Sequence, residues 1–363
     1  MTKKYIFLGI IFLLLSSFYA RKLLHKPLIP SLALLNPITI TLADHPVKTS
    51  SSVGQLVESL QNHRFSNSQL TLGDQIYAAQ QGIHILPTDK VVFITSRGYA
   101  YATQPKPQSM ASSIIQFPRV GGGLICATNW IKYLKITAPV ICFDYFDDWH
   151  NFDFGLTQDS NCLDLVIKEV LRQNQSCEIV LIGTCKGSRS ILHYLTHEPV
   201  KNIKAVILDA PFATVSDLSD VIHKHYFKWL PYGNFLLHSF LQWWFPNYNH
   251  SDDLPHHIEK LPKNLPILIG HLKNDLLVTD HQMKEFIKLF QNNENLHVCV
   301  ISHPTIKHSK LSHMAVFQHI ANAFLAHYEL PHDQEQAKQG NNLFPITAYN
   351  ARNPHSWVTI TSS

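Results

Sequence analysis

The sequence predicts an α/β protein with a mostly parallel β-sheet that helices cover on both faces. Six short apolar runs lack the alternation of polar and apolar residues that a half-exposed strand shows. Amphipathic helical stretches separate several of these runs, and a glycine-containing turn follows one of them. These observations together indicate buried parallel strands that are connected by helices.

The predicted strands are short β-branched or apolar segments. They are Val91–Ile94, Val140–Phe143, Ile179–Ile182, Ala205–Leu208, Ile267–Ile269 and Val298–Ile301. Apolar residues recur at helical spacing within Asp164–Leu171 and within His281–Phe290, and a last helix is predicted from Val316 to Tyr328.

Composition narrows the class of protein. The chain has 363 residues, of which 45% are hydrophobic and 15% are charged, so it can form one large or two small α/β domains and is not a disordered protein. The net charge of +4 comes without a long Lys/Arg run, which gives no electrostatic case for a nucleic-acid partner. None of the six cysteines forms a C-x-x-C pair, and the sequence favours no particular disulfide.

Residues 1–22 are typical of a membrane anchor or a signal segment. Two lysines precede an apolar run from Tyr5 to Ala20, and basic residues follow it at once. Phe18 stands where signal cleavage requires a small residue, which favours an uncleaved anchor, although the run is short for a bilayer span. A cleaved signal, which would give a secreted protein, and a buried helix stay open. Charge nearly balances across the run, so a domain facing the periplasm or the exterior is one of two orientations.

The rest of the chain divides by composition. Residues 23–68 are interrupted by prolines and predict a linker or stalk, which leads into an α/β domain over 69–328. An aromatic-rich helical insertion at about 214–261 suggests a cap over a site, and an ordinary packed helix pair is the alternative. Residues 329–363 are polar, so we expect them to form a mobile tail.

A G-x-C-x-G turn is the sharpest motif of the sequence. It joins the apolar strand Ile179–Ile182 to a helical stretch, with Cys185 between Gly183 and Gly187. A turn that presents a nucleophile at the end of a strand is so tight that side chains at the two glycine positions would collide. Cys185 also lies at a helix N-terminus, where the helix dipole favours a thiolate. Catalytic attack on a carbonyl carbon is predicted, and a buried inert cysteine is the alternative.

Other hydroxyl groups near the turn are rival nucleophiles. Ser188 and Ser190 follow Cys185 within the predicted helix, where their side chains would be enclosed. The backbone N–H of Lys186 is predicted to face the developing oxyanion. Gly98, with Tyr99, is the candidate for the second backbone donor, because it follows an early strand.

In proteins that carry a nucleophile on such a strand-to-helix turn, the nucleophile, the acid and the histidine follow in that order along the chain. An acid is therefore expected after a later strand and a histidine after the last one. Asp275 fits the first position, since a strand, Gly270 and a short polar turn precede it. A helix-capping role for Asp275 and the choice of Asp209 as the acid are the alternatives.

Three histidines lie between the last strand and the last helix: His303, His308 and His313. His308 stands at the usual distance before the helix and is the predicted general base, with the acid fixing its tautomer. His313 is the alternative, because Ser312 and His313 could open the helix.

The chain contains 23 histidines, so metal binding has to be considered. The clusters are His256 with His257, His223 with His225, and the group of three described above. Their spacing does not place side chains on one helix face, and no H-E-x-x-H motif occurs. The sequence therefore predicts no metal site.

Over about residues 70–328 the sequence resembles the α/β-hydrolase superfamily. It is most similar to membrane-anchored serine-aminopeptidase-like and Bem46-like hydrolases, and the likeness rests on Gly183–Gly187, Ala210–Phe212, the turn from Gly270 to Asp275 and the His308 loop. The resemblance implies an α/β-hydrolase fold, a Ser/Cys-His-Asp triad, no cofactor, and ester, thioester or amide substrates. Cys185 replaces the usual serine, as in dienelactone hydrolases and polyhydroxyalkanoate synthases, and Ser96-Arg97-Gly98 replaces His-Gly.

The predicted function is hydrolysis of an ester or thioester through an acyl-enzyme on Cys185. The expected partners are a small-molecule or lipid-like acyl substrate and a membrane. Two other functions stay open. One is acyl transfer by the same cysteine, and the other is a catalytically degenerate hydrolase fold that serves as a binding scaffold.

Overall fold

The computed structural model of the chain describes residues 154–198, 201–226, 229, 235–237, 239, 248, 253–273, 275–304, 308, 310–344 and 346, together with seven further strands. Those strands are Thr39–Thr41 (β1), Gln69–Thr71 (β2), Lys90–Thr95 (β3), Gly98–Thr103 (β4), Ser112–Phe117 (β5), Val140–Tyr145 (β6) and Val358–Thr361 (β11). β1 and β2 pair antiparallel with each other.

A nine-stranded sheet contains all the other described strands, in the order β11-β10-β9-β8-β7-β5-β6-β4-β3. Its remaining members are Glu178–Thr184 (β7), Ile203–Asp209 (β8), Ile267–Leu272 (β9) and Leu296–Ser302 (β10). β4 runs antiparallel to both of its neighbours, and the other pairs are parallel. The mostly parallel sheet predicted from the apolar runs is thereby confirmed.

One described helix precedes β7, one follows each of β7, β8 and β9, and two lie between β10 and β11. These helices are Thr157–Gln173 (α1), Lys186–His197 (α2), Val215–Tyr226 (α3), Asp280–Lys288 (α4), Ala315–His327 (α5) and Gln334–Leu343 (α6), with 3₁₀ turns at Leu254–His256, Ile258–Lys260 and Leu311–His313. The three predicted helices overlap α1, α4 and α5, and the last two predicted helices end one or two residues beyond the observed C-terminal ends.

Two apolar clusters cover the two faces of the sheet. Residues of α1, α2 and α4 pack on one face with Ile179 and Leu181 of β7. Residues of α5 pack on the other face with Val180 and Ile182 of the same strand. Successive residues of a strand point to opposite faces, so a strand buried on both sides must be apolar without alternation.

The described part of residues 329–363, for which the sequence predicts a mobile tail, contains a helix and an edge strand. Asp333 accepts the backbone N–H of Gln336 at 2.8 Å and so caps α6, which packs against α5. Phe344 and Ile346 are 1% and 2% exposed within the cluster on that face, and β11 pairs in parallel with β10. A few apolar residues in a polar segment are enough to join it to a core cluster and a sheet edge, and the local sequence pattern does not reveal this.

Other predictions on domain organisation fall mainly outside the described residues. The anchor at 1–22 and most of the linker at 23–68 lie there, as does most of the aromatic middle of the cap at 214–261. α3 and the two 3₁₀ turns at 254–260 form the described ends of that insertion. Within the part of the chain that the structure describes, no helix has the length and apolarity needed to cross a bilayer.

Candidate active site

Cys185 lies on the turn between β7 and α2 in a backbone conformation that side chains rarely adopt. Its φ is 52° and its ψ is −112°, and a residue other than glycine holds such angles only where the surrounding structure enforces them. The N–H of Cys185 donates to the carbonyl oxygen of Asp209 at 2.7 Å, and its own carbonyl accepts from the N–H of Ser188 at 3.1 Å. These bonds hold the Cys185 backbone at the carboxyl end of the sheet and at the start of α2.

Two glycines make room for this turn. A Cβ atom at Gly183 would lie 2.6 Å from both N and Cα of Ser188, which is well inside van der Waals contact. Gly155 has a φ of +89°, and a Cβ atom there would lie 2.7 Å from the carbonyl oxygen of Lys186. The collision that the G-x-C-x-G motif predicts at its first glycine is therefore present in the structure.

The rival serines are enclosed within α2. Ser188 and Ser190 are both fully buried, and their hydroxyls donate to carbonyl oxygens, Ser188 to Asp209 at 3.3 Å and Ser190 to Lys186 at 3.1 Å. Cys185 is partly exposed. A reagent in solution can therefore reach Cys185, whereas it cannot reach either serine.

Lys186 directs its side chain away from the turn. The side chain is 2% exposed, and its Nζ lies 2.8 Å from Oδ2 of Asp159 in the first turn of α1. Lys186 is also the first residue of α2, so its backbone N–H lies at the positive end of the helix dipole. What Lys186 can offer to a ligand at Cys185 is thus its backbone N–H rather than its ammonium group.

Asp275 and His308 meet although 33 positions separate them in the chain. Nδ1 of His308 lies 2.8 Å from Oδ2 and 3.0 Å from Oδ1 of Asp275, so the ring N–H donates to the carboxylate. Oδ1 also accepts the backbone N–H groups of Leu277 at 2.8 Å and Val278 at 3.1 Å. The carboxylate is thereby fixed from two sides.

These contacts govern the protonation of Asp275. Burial by itself would raise the pKa of the carboxyl group, but the hydrogen bond and the charge of His308, together with the two backbone N–H groups, lower it below its ordinary value. Asp275 is therefore a carboxylate at neutral pH.

Cys185 acts on the same imidazole ring. Burial lowers the pKa of His308, but the negative charge of the Cys185 thiolate and the Asp275 carboxylate outweigh this effect and raise the pKa to about 10. The thiol also contributes as a hydrogen-bond partner of the ring, although Nε2 of His308 makes no bond of ordinary distance and angle. Hydrogen bonds between catalytic groups are often long in the absence of substrate. Cys185 and Asp275 thus both favour the protonated form of His308.

The alternative acid and histidine occupy other places. Asp209 is fully buried at the end of β8, and its backbone carbonyl holds the Cys185 turn. His313 ends the 3₁₀ turn before α5. Among the described residues, Asp275 makes the hydrogen bond of ordinary distance and angle to the ring of His308.

Gly98, the predicted second oxyanion donor, is contradicted by the strand order. It opens β4 and pairs with Tyr145 at the end of β6, whereas Cys185 follows β7. Two strands, β5 and β6, lie between β7 and β4, which places Gly98 roughly 14 Å to the side at about 4.8 Å per strand. A hydrogen bond from Gly98 to a substrate on Cys185 is excluded by that distance.

The strand next to β7 on that side is β5, which the sequence did not reveal. Phe117 at its end pairs with Gly183, and the chain then continues as Pro118-Arg119-Val120-Gly121-Gly122-Gly123. Residues 118–123 lie outside the described part of the structure. A run of glycines after the strand beside β7 is a sequence signal that would have favoured residues 121–123 over Gly98 as a candidate.

Metal ligation has no support in the described part of the chain. No group of three or more His, Cys, Asp or Glu side chains there has an arrangement that could hold an ion. His193 and His197 stack at 4.3 Å between ring centroids, and His197 lies 5.0 Å from His257. These rings contact one another instead of converging on one point.

The sheet order, the strained Cys185 turn and the Asp275–His308 pair after β9 and β10 define an α/β-hydrolase fold. No family model matches the sequence, and no curated protein matches it. Solved structures with a similar fold include the esterase Pf2001 of Pyrococcus furiosus, at 16% identity over 69% of this chain and 95% of that one, with a TM-score of 0.48. An esterase/lipase from an uncultured bacterium is 10% identical over 80% of this chain and 100% of that one, with a TM-score of 0.49. An alpha-beta serine hydrolase homologue from Coxiella burnetii is 15% identical over 70% and 98%, with a TM-score of 0.40.

Proposed function

We propose that the protein hydrolyses carboxylic esters or thioesters, with Cys185 as nucleophile, His308 as proton carrier and Asp275 as the residue that orients His308. The observation that carries this proposal is geometric: His308 binds Asp275 at 2.8 Å, and Cys185, on its strained turn, acts on the same imidazole ring. A structural cysteine needs neither a strained backbone nor a basic partner. Both features are useful where a thiolate has to form at neutral pH.

The reaction follows from the positions of these groups. Sγ of Cys185 attacks the carbonyl carbon of the substrate, and the carbonyl oxygen takes the negative charge. His308 then gives the proton from Nε2 to the departing alkoxide or thiolate, which leaves an acyl group on Cys185. The neutral ring removes a proton from water as the water attacks the acyl group, and the acid and Cys185 are released. Asp275 holds Nδ1–H throughout and keeps Nε2 directed at the reacting atoms.

Stabilisation of the oxyanion is assigned to backbone N–H groups. The N–H of Lys186 opens α2 and lies next to Sγ in the chain, as the donor after a nucleophile does in such turns. The glycine run 121–123, which follows β5, is the candidate for the second donor in place of Gly98. Loss of one such donor typically costs about 100-fold to 1,000-fold in rate.

The acyl group is proposed to be apolar. The cap insertion is rich in aromatic residues, and among its described members Trp229 and Phe235 are 63% and 71% exposed. Large aromatic side chains that remain exposed are typical of surfaces that meet apolar ligands. Acyl chain length is therefore the substrate variable to test first.

Attachment to a membrane by residues 1–22 is part of the proposal. Tyr5–Ala20 is an apolar run flanked by lysines and arginine. The full chain should remain in the membrane fraction after extraction with alkaline carbonate, and a variant that lacks residues 2–22 should be released. Release of the full chain by carbonate would contradict the anchor.

The test of the activity compares p-nitrophenyl acetate, butyrate and octanoate with the full-length protein in detergent. Cys185→Ala should abolish turnover, and mass spectrometry of the wild type should find the acyl group on the Cys185 peptide. Cys177→Ala is the matched control, because Cys177 is a cysteine whose side chain is fully buried. Equal turnover by the wild type and Cys185→Ala would refute the proposal, and the absence of both turnover and acylation in folded protein would favour a binding scaffold.

A further inference from the structure

Strand β9 carries a histidine where its other residues are apolar or glycine. The strand is Ile267-Leu268-Ile269-Gly270-His271-Leu272, and every one of these residues is buried. His271 is fully enclosed, and its Nδ1 makes no hydrogen bond. Burying a polar group without full compensation costs free energy, so this position has a cost that an apolar residue would avoid.

The other ring nitrogen makes a contact across the loop that follows. Nε2 of His271 lies 2.8 Å from Oδ1 of Asp280, and Asp280 is the first residue of α4. The pair joins the C-terminal end of β9 to the beginning of α4. It thus closes the loop over 273–279 at its base, and this is the loop that carries Asp275.

The same loop is fastened at several further points. The N–H of Lys273 donates to the carbonyl of Ile301 in β10 at 2.8 Å. Thr279 and Gln282 form a reciprocal capping box at the start of α4. Since β9, β10 and α4 are all packed in the core, the loop ends are fixed to rigid elements, and the His271–Asp280 pair sets the distance between two of them.

We propose that the His271–Asp280 pair is a positioning device that keeps the Asp275 carboxylate directed at His308. This inference rests on the proposed function, since it concerns the same site. Opening the base of the loop would let Leu277 and Val278 shift together with Asp275, because their N–H groups bind its Oδ1. The pKa of His308 would then fall, and proton transfer between His308 and the groups reacting at Cys185 would slow. A misplacement of about 1 Å in such a site can cost on the order of 100-fold in rate.

Asp280 is the residue to change, because its side chain is 37% exposed and its loss should not unfold the protein. Asp280→Ala removes the acceptor for His271, and Asp280→Asn keeps an acceptor oxygen. Glu285→Ala is the matched control, since Glu285 is a carboxylate of the same helix that pairs on the surface with Lys288 at 2.6 Å. The full-length protein is used throughout.

The rate at which iodoacetamide alkylates Cys185 is measured from pH 5 to 11 by mass spectrometry of the peptide that contains Cys185. This rate reports the ionic state of the site without the use of an ester substrate. The thiolate becomes more reactive when the neighbouring imidazolium loses its proton, so the wild type should show an upper step near pH 10, the pKa of His308. In Asp280→Ala this step should move down by about one pH unit. Turnover of the ester should fall about 10-fold at unchanged KM.

Asp280→Asn should restore most of the wild-type alkylation profile and most of the ester turnover. Glu285→Ala should match the wild type in both measurements. A purely structural role would lower the melting temperature of Asp280→Ala while its alkylation profile coincided with that of the wild type, and that result would overturn the inference. An Asn variant as impaired as the Ala variant would also overturn it. A different pair of results would show that the proposed function itself is wrong: Cys185→Ala retains ester turnover, and the alkylation profile of the wild type has no upper step. These results would refute both proposals.

Discussion

Replacement of Asp275 by Asn removes one negative charge from the site at almost constant side-chain size. The amide oxygen of Asn can still accept the N–H groups of Leu277 and Val278, which bind Oδ1 of Asp275 at 2.8 and 3.1 Å. The amide nitrogen, in contrast, is a donor and would face Nδ1–H of His308, which is also a donor. The substitution therefore acts on His308 with little change to the loop backbone.

The size of the effect follows from the pKa of His308. Its rise from 6.5 to about 10 corresponds to roughly 5 kcal/mol in favour of the imidazolium at 1.36 kcal/mol per pH unit. Cys185 and Asp275 both contribute to this free energy, against the opposing effect of burial. A hydrogen bond to a charged group is worth about 1.5–3 kcal/mol, so loss of the Asp275 contribution should slow acylation at pH 7 by about 10-fold to 150-fold.

The pH dependence gives a second measure of the same change. Because the pKa of His308 is raised, its imidazolium persists above pH 6.5 and is lost only as the pH approaches 10. In Asp275→Asn the pH above which the acylation rate declines should move down towards 6.5.

The assay is the pre-steady-state burst of p-nitrophenolate from the butyrate ester between pH 5 and 10. Asp164→Asn serves as the control, because Asp164 is a carboxylate that pairs with Lys168 on the exposed side of α1. A burst rate of Asp275→Asn within twofold of the wild type, with the same upper pH limit, would refute the assignment of Asp275.

Three further predictions concern stability. Gly183→Ala places a Cβ atom 2.6 Å from the backbone of Ser188, so we expect a loss of about 3 kcal/mol or more by chemical denaturation; an unchanged midpoint would contradict the tight turn. Arg189 and Asp253 form a fully buried ion pair, so Arg189→Met should cost about 3–5 kcal/mol and the double variant Arg189→Met/Asp253→Leu should recover most of it. Failure of the double variant to recover would show that the pair itself is needed. His193 has its pKa lowered to about 3, chiefly by burial and then by the charges of nearby basic groups, so it stays neutral in the folded protein while the unfolded chain takes up a proton below pH 6.5. Stability should therefore fall by about 2 kcal/mol between pH 6.5 and 5 on account of His193, and His193→Gln should be less sensitive to pH over that range; an equal slope in both proteins would argue against this.

Local patterns in the sequence were enough to find most of the parallel strands. The runs at Ile179–Ile182, Ala205–Leu208 and Val298–Ile301 all lie within observed strands, because a strand buried on both faces must be apolar at every position. β5, with the sequence Ser112-Ser113-Ile114-Ile115-Gln116-Phe117, carries polar residues and was not recognised. Its identification needed its pairing with β6 and β7.

The error at Gly98 has the same origin. A chain position after an early strand does not tell which strand is the neighbour of β7, because the order β7-β5-β6-β4 does not follow the sequence. The glycine run at 121–123 was visible, but its relevance depends on β5 lying beside β7. Once that neighbour is known, the strand order places Gly98 two strands further from Cys185 than the end of β5.

The sequence by itself determined the α/β class, the position of Cys185 between a strand and a helix, and the chain order of the candidate acid and histidine. These are properties of short segments, in which sterics at glycine and the burial of successive side chains act on neighbouring residues. Only the tertiary structure decided that His308 meets Asp275, that Gly98 is remote, that part of the polar tail is an edge strand and a helix, and that His271 reaches Asp280. Each of these depends on which segments become neighbours in space, and that is set by the packing of the whole chain.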